Sequence, residues 1–137
     1  MSATHPTRRT FIKTLCLGAL GCTAACSALP RYLLEQPPGD EGMRVPLSAF
    51  GEEGRLVVVS ADGASSYLIS HHGEDFVAVE LVCTHRGCGL QVRAQELHCP
   101  CHGSRFSPGG EVLEGPARRP LKTLNVTRKG DELHLES

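Results

Sequence analysis

The chain has 137 residues, with 15 glycines, 9 prolines and no tryptophan, which suits one small turn-rich domain and leaves little room for a second core. Fourteen basic residues nearly balance fifteen acidic ones, but every formally charged side chain before residue 35 is positive: Arg8, Arg9, Lys13 and Arg31. The remainder, ten basic against fifteen acidic residues, carries about −5 and lacks the basic stripe that phosphate contacts need, so no nucleic-acid partner is expected.

In chain order, residues 7–14 (TRRTFIKT) place two adjacent arginines before Phe, Ile and Lys, and a weakly polar run, LCLGALGCTAACSAL, leads to Pro30. This pattern resembles a twin-arginine export signal, which implies export and a periplasmic, membrane-associated product. As a helix, Thr14 to Leu29 would span about 24 Å, short of a hydrocarbon core of roughly 30 Å, and that favours removal. Tyr32, Leu33 and Leu34 could extend the run into a retained membrane anchor. Lipid attachment at Cys22 or Cys26 is a third course, although neither ALGC nor TAAC has the leucine of a good lipobox. Residues 1–34 are therefore read as a signal or anchor, 35–42 (EQPPGDEG) as a linker by composition, and 43–137 as the folded domain.

From Met43 onward the chain alternates short β-branched or alternating runs with turn residues. Strands are predicted at 55–60, 66–70, 76–82, 89–93, 96–98, 111–113, 121–127 and 132–136, with ADGAS, HHGED, SPGGE and RKGDE as turns. No stretch keeps a helical period, so the expected class is all-β, built of small antiparallel sheets. With four Phe and two Tyr in the whole chain, a metal centre and a cross-link would supply part of the stability.

The chemistry concentrates in residues 83–88, CTHRGC, and 99–104, CPCHGS. Cys83-x-His85 and Cys99-x-x-His102 each offer one sulfur and one nitrogen donor, and two such loops could close on one centre. A zinc-stabilised binding module is one reading of a Cys₂His₂ set. Two features weigh against it. Zinc fingers of this ligand class pair Cys with Cys and His with His, and each loop here carries an additional cysteine, Cys88 or Cys101.

C-T-H-x-G-C followed by C-P-C-H-G-S resembles the signature of the Rieske [2Fe–2S] proteins, and the likeness runs from about residue 45 to the C-terminus. The resemblance implies a two-loop cluster-binding subdomain, with Cys83 and Cys99 on one iron and His85 and His102 on the other. It implies a Cys88–Cys101 disulfide, as in members that work in bc-type complexes, and export would place that bond where it persists. It makes Ser104 a hydrogen-bond donor to a cluster sulfide, and Gly115-Pro116-Ala117-Arg118 the covering proline loop. Members of this kind also retain such a signal as their membrane anchor.

The activity implied by the resemblance is one-electron transfer with no bond-making site. The protein would serve a quinol-oxidising cytochrome bc-type complex, or another exported oxidoreductase such as a molybdenum enzyme of the arsenite-oxidase kind. Partners would be redox proteins, with quinol as a further candidate, and the alternative is a ferredoxin delivering electrons to an oxygenase. Imidazoles on a cationic iron release protons more readily than free ones, so electron and proton uptake would be coupled at their exposed edges. Three departures bear on the partner. Phe106 replaces a tyrosine that hydrogen-bonds a cysteine ligand in high-potential members, Arg86 stands where quinol-oxidising members carry an apolar docking residue, and Arg118 replaces the second proline of the covering loop. His98, His71 and His72 have no ligand spacing and read as strand and turn residues.

Overall fold

The computed structural model describes residues 28–34 and 42–136, which form two sheets. The strands are β1 (Arg31–Leu33), β2 (Met43–Pro46), β3 (Arg55–Val59), β4 (Ser66–His72), β5 (Asp75–Glu80), β6 (Gln91–Val92), β7 (Leu97–His98), β8 (Arg105–Phe106), β9 (Val112–Glu114), β10 (Thr123–Lys129) and β11 (Glu132–Glu136). A seven-stranded sheet runs β1-β3-β4-β5-β10-β11-β2, and a four-stranded sheet runs β6-β7-β8-β9. The only helical element among the described residues is a 3-10 turn at Leu47–Ala49. The all-β expectation holds.

The runs RLVVV and SYLIS are apolar almost throughout because both faces of the central strands are covered. Side chains alternate across a strand, so Leu56, Val58, Tyr67, Ile69 and Ala78 enter one core while Val57, Leu68 and Val79 enter the other. The first core is closed by Met43, Val45, Leu133 and Leu135 from β2 and β11. The second lies beneath the four-stranded sheet and contains Leu97, Phe106, Ala117 and Leu121 together with Cys83 and Cys99. Fully burying each large side chain of these cores contributes about 1.5–3 kcal/mol. The chemistry-bearing loops are thus mounted directly on a packed core.

Several elements depart from the sequence reading. β1 comes from the stretch assigned to the signal or anchor, and it pairs in parallel with β3, Tyr32 opposite Val58, whereas only antiparallel pairs were expected. Leu34 is buried in the first core, so an extension of the apolar run through Tyr32–Leu34 competes with this packing. β2 and β8 were not predicted. Each is short, and each is held by its partners, β2 by β11 and β8 by β7 and β9. The segment 89–93 shortens to β6 because Gly89 belongs to a separate bridge with Val82. Residues 1–27 and 35–41, which carry the twin arginines and most of the linker, lie outside the described residues, and among those described no helix is long and apolar enough to cross a membrane.

Gly110 fixes the base of the loop that covers the two motif hairpins. Its N–H donates to the Ser107 carbonyl at 2.9 Å and its carbonyl accepts from the Leu121 N–H at 2.8 Å, so the two ends of segment 110–121 are pinned together. Its φ is +92°, and a Cβ there would lie 3.2 Å from both Leu121 Cβ and Val79 Cγ1. Gly110→Ala is expected to destabilise the fold by about 1–3 kcal/mol in urea unfolding, through backbone strain and overpacking together. A loss well under about 0.5 kcal/mol would show that this junction yields freely.

Candidate metal centre

The two motif loops are the same hairpin built twice. The first is closed by the Val82–Gly89 bridge and the second by the His98–Arg105 pair of β7 and β8. Inside each closure the backbone bonds repeat. Cys83 N–H donates to the Cys88 carbonyl and Gly87 N–H to the Cys83 carbonyl, both at 2.8 Å. Cys99 N–H donates to the Ser104 carbonyl at 2.8 Å and Gly103 N–H to the Cys99 carbonyl at 3.0 Å. Gly87 and Gly103 occupy equivalent places, with φ of +77° and +80°. Open space surrounds both, so the backbone conformation alone calls for glycine.

Equivalent loop positions carry unlike side chains. Cys83 and Cys99 both open their loops, are 2% and 1% exposed, and remain free thiols. The closing positions are Cys88 and Ser104. Cys88 is bonded to Cys101 of the other loop. Ser104, fully buried, accepts a hydrogen bond at its Oγ from the Ala117 N–H at 3.0 Å. Its hydroxyl proton has no acceptor among the described residues and remains free for a third party.

A third loop, residues 115–120, covers the pair. Its Gly115–Pro116 bond is cis. Ala117 ties it to the second loop through Ser104, and the Thr84 hydroxyl donates to the Arg119 carbonyl at 2.6 Å, tying it to the first. With the disulfide, these bonds join the three loops in a closed triangle. Sequence reasoning identified the covering loop but not the Thr84 contact. Nothing local in the sequence marks a threonine whose partner lies 35 residues away.

His85 and His102 face each other edge to face, ring centroids 4.9 Å apart and planes at 85°. His85 Nδ1 is buried with no hydrogen-bond partner among the described residues, whereas His102 is exposed. A buried ring nitrogen without a partner is costly and calls for a ligand. Cys83, Cys99 and His85 thus present two buried thiols and one orphaned nitrogen, with His102 adjacent.

The three sulfurs of Cys88, Cys99 and Cys101 lie within 4.8 Å of one another, but two are consumed by the disulfide, so that trio is not a ligand set. Among the described residues no three donor atoms of Cys83, His85, Cys99 and His102 come that close together. Two thiols and two imidazoles supply one matched pair for each iron of a two-iron centre, sulfur on one and nitrogen on the other. The residues present fit a [2Fe–2S] cluster.

The family model described as the Rieske [2Fe-2S] domain matches residues 44–125. The chain belongs to the Rieske [2Fe–2S] family. Its cofactor is a [2Fe–2S] cluster. Iron–sulfur subunit 1 of the cytochrome b6-f complex of Synechocystis sp. is 38% identical over 85 residues, which cover 59% of this chain and 48% of that protein. The chain therefore spans about half the length of that curated relative. Among solved structures, the plasma-membrane Rieske protein of Synechocystis matches with a TM-score of 0.55 at 27% identity, covering 71% of this chain and 97% of that one. A chain of a hyperthermophilic respiratory complex III matches equally, TM-score 0.55 at 27% identity, covering 69% of this chain and 74% of that one.

The remaining residues singled out from sequence take structural places in this Rieske domain. Phe106 is fully buried in the second core and offers no hydroxyl to a cysteine sulfur. His98 Nδ1 lies 3.3 Å from an Arg93 guanidinium nitrogen in the 91–98 hairpin, and the His71 ring packs on Phe76 with centroids 4.6 Å apart. Arg105 bridges strands by hydrogen-bonding Glu96 and Glu114 across β7, β8 and β9, and these bonds hold its guanidinium above its ordinary range.

The pairing is checked by alkylating unreduced, denatured protein and mapping its peptides. Cys83 and Cys99 should be labelled, and Cys88 and Cys101 should be recovered as one linked peptide. Replacing either bridging cysteine by serine is expected to cost about 2–4 kcal/mol of stability, as for a loop of this length.

Proposed function

We propose that this protein is a one-electron carrier, the iron–sulfur subunit of an exported oxidoreductase, of the disulfide-bearing type that also serves cytochrome bc-type complexes. The observation that carries the reading is the closed triangle of loops. It buries the two thiols and one imidazole nitrogen and leaves the second imidazole, His102, at the surface.

The [2Fe–2S] cluster supplies reversible one-electron chemistry when bound. Cys83 and Cys99 would hold one iron and exclude water from it. His85, through its orphaned Nδ1, and His102 would hold the other. Ser104, with its Oγ already fixed by Ala117, would donate its free hydroxyl proton to a sulfide, which stabilises added negative charge and raises the potential. Phe106 leaves a second such bond unmade, so the potential should fall between the family's extremes. His102 would be the exit, since an exposed ring shortens the path to an acceptor.

The disulfide favours the bc-type role over that of an oxygenase ferredoxin, because such a clasp persists in an oxidising compartment and is kept reduced in the cytosol. The relatives from cytochrome b6-f and complex III support the same role. On this reading residues 1–27 carry a twin-arginine address that delivers a folded protein to the periplasmic membrane face. Exposed Arg86 is costly to bury in an apolar crevice, which favours a partner other than a quinol-oxidising cytochrome b.

Reduced protein purified with iron should give an electron paramagnetic resonance spectrum with average g below 2. A silent, zinc-containing product would sink the proposal. In voltammetry Ser104→Ala should lower the potential and Phe106→Tyr should raise it, each on the order of 60 mV, the one-electron equivalent of about 1.4 kcal/mol. For the address, Arg8→Lys with Arg9→Lys should leave the chain in the cytosolic fraction, and unchanged export would refute it.

A further inference from the structure

The three loops that meet around the motif hairpins are charged in one sense only. Loops 83–88, 99–104 and 115–120 contain Arg86, Arg118 and Arg119 and no Asp or Glu. All three arginines are exposed, and none makes an ion pair or a side-chain hydrogen bond among the described residues. Two of the other arginines are instead neutralised by carboxylates, Arg55 by Glu53 and Arg105 by Glu96 and Glu114.

The three arginines are also held in place by the triangle. Arg86 follows the ligand candidate His85 in the first loop. Arg118 and Arg119 sit between the two bonds that fasten the covering loop, Ala117 N–H to Ser104 and the Arg119 carbonyl to Thr84. Their backbones are therefore pinned to the hairpins that present His102, while their side chains stay in water. From residue 35 onward the chain has ten basic and fifteen acidic residues, and these three account for almost a third of the basic ones. A cationic tip on an acidic body is a permanent dipole that orients an approaching partner before contact.

We infer that Arg86, Arg118 and Arg119 form a docking collar for an acidic protein surface, which seats the partner's redox group against the exposed edge of His102. The inference rests on the electron-transfer reading and adds the charge of the partner. A protein is favoured over an anionic lipid surface because the arginines lie on the loops fastened to the one that presents the electron exit, which has to meet an acceptor and not headgroups. Each exposed guanidinium is fully hydrated and shielded beyond about 8 Å at physiological salt, so the three act through approach and early contact.

The test uses the cluster-loaded chain with two redox probes, an acidic c-type cytochrome and a basic one, and two quantities, binding by calorimetry and oxidation rate by stopped flow. Binding to the acidic cytochrome should weaken about tenfold in R86Q/R118Q/R119Q, and the oxidation rate should fall in parallel. The basic cytochrome should bind more weakly than the acidic one and lose nothing in the triple variant. The lysine counterpart should restore most of both quantities, and R128Q/K129Q at the end of β10 should change neither. Raising ionic strength should weaken wild-type binding and leave the triple variant nearly unaffected. Binding to the acidic cytochrome that is the same in wild type and triple variant would overturn the collar while an intact resonance signal keeps the electron-transfer reading. Loss of that signal would overturn both. Arginine-dependent sedimentation with phosphatidylglycerol but not phosphatidylcholine vesicles, with cytochrome binding unchanged, would assign the collar to lipid and overturn the protein partner.

Discussion

Three loops have to be held against one another before any of the chemistry can exist, and three bonds do this: a disulfide, a serine accepting from a backbone amide, and a threonine donating to a backbone carbonyl. Each joins a different pair of loops, so none can open without straining the other two. The arrangement suits a domain with four Phe, two Tyr and no tryptophan, whose cores are filled by aliphatic residues of modest size. Covalent and polar ties supply local rigidity that bulk packing would provide in a larger protein.

The repeated hairpin explains why the loops can be so short. Each closes with the same pair of backbone bonds and the same left-handed glycine, which leaves the side chains between them free to differ. One hairpin uses its closing position for the cross-link and the other for the hydroxyl that meets the covering loop. A single backbone solution thereby holds the candidate ligands, carries the clasp and sets the Ser104 hydroxyl against the covering loop. Mounting Cys83, Cys99 and Phe106 in the same core as Val57, Leu68 and Val79 carries the rigidity of the central sheet into the site.

The site was legible in the sequence to an unusual degree because ligand chemistry demands specific residue types at fixed spacing. Cys83, His85, Cys99, His102 and the Cys88–Cys101 pair stood out in two six-residue strings, and Ser104 lay within one of them. The larger strands were legible too, because β-branched runs between turn residues have few other uses. The short strands β1, β2 and β8 were not. Two to four residues carry too little pattern to announce themselves, and pairing with neighbours that the chain reaches only after folding decides their state.

By itself, the sequence singled out the candidate donors and the all-β class, since these depend on side-chain chemistry and local alternation, and its likeness to the family pointed to the clasp. Tertiary structure decided what those residues do to one another. It made β1 part of the sheet, left His85 Nδ1 orphaned while His102 reached the surface, and fastened Thr84 to Arg119. It also brought Arg86 to the same end of the molecule as Arg118 and Arg119, more than thirty residues on. The reason is the same in each case: burial, pairing and the sign of a surface are properties of segments that meet only through the fold.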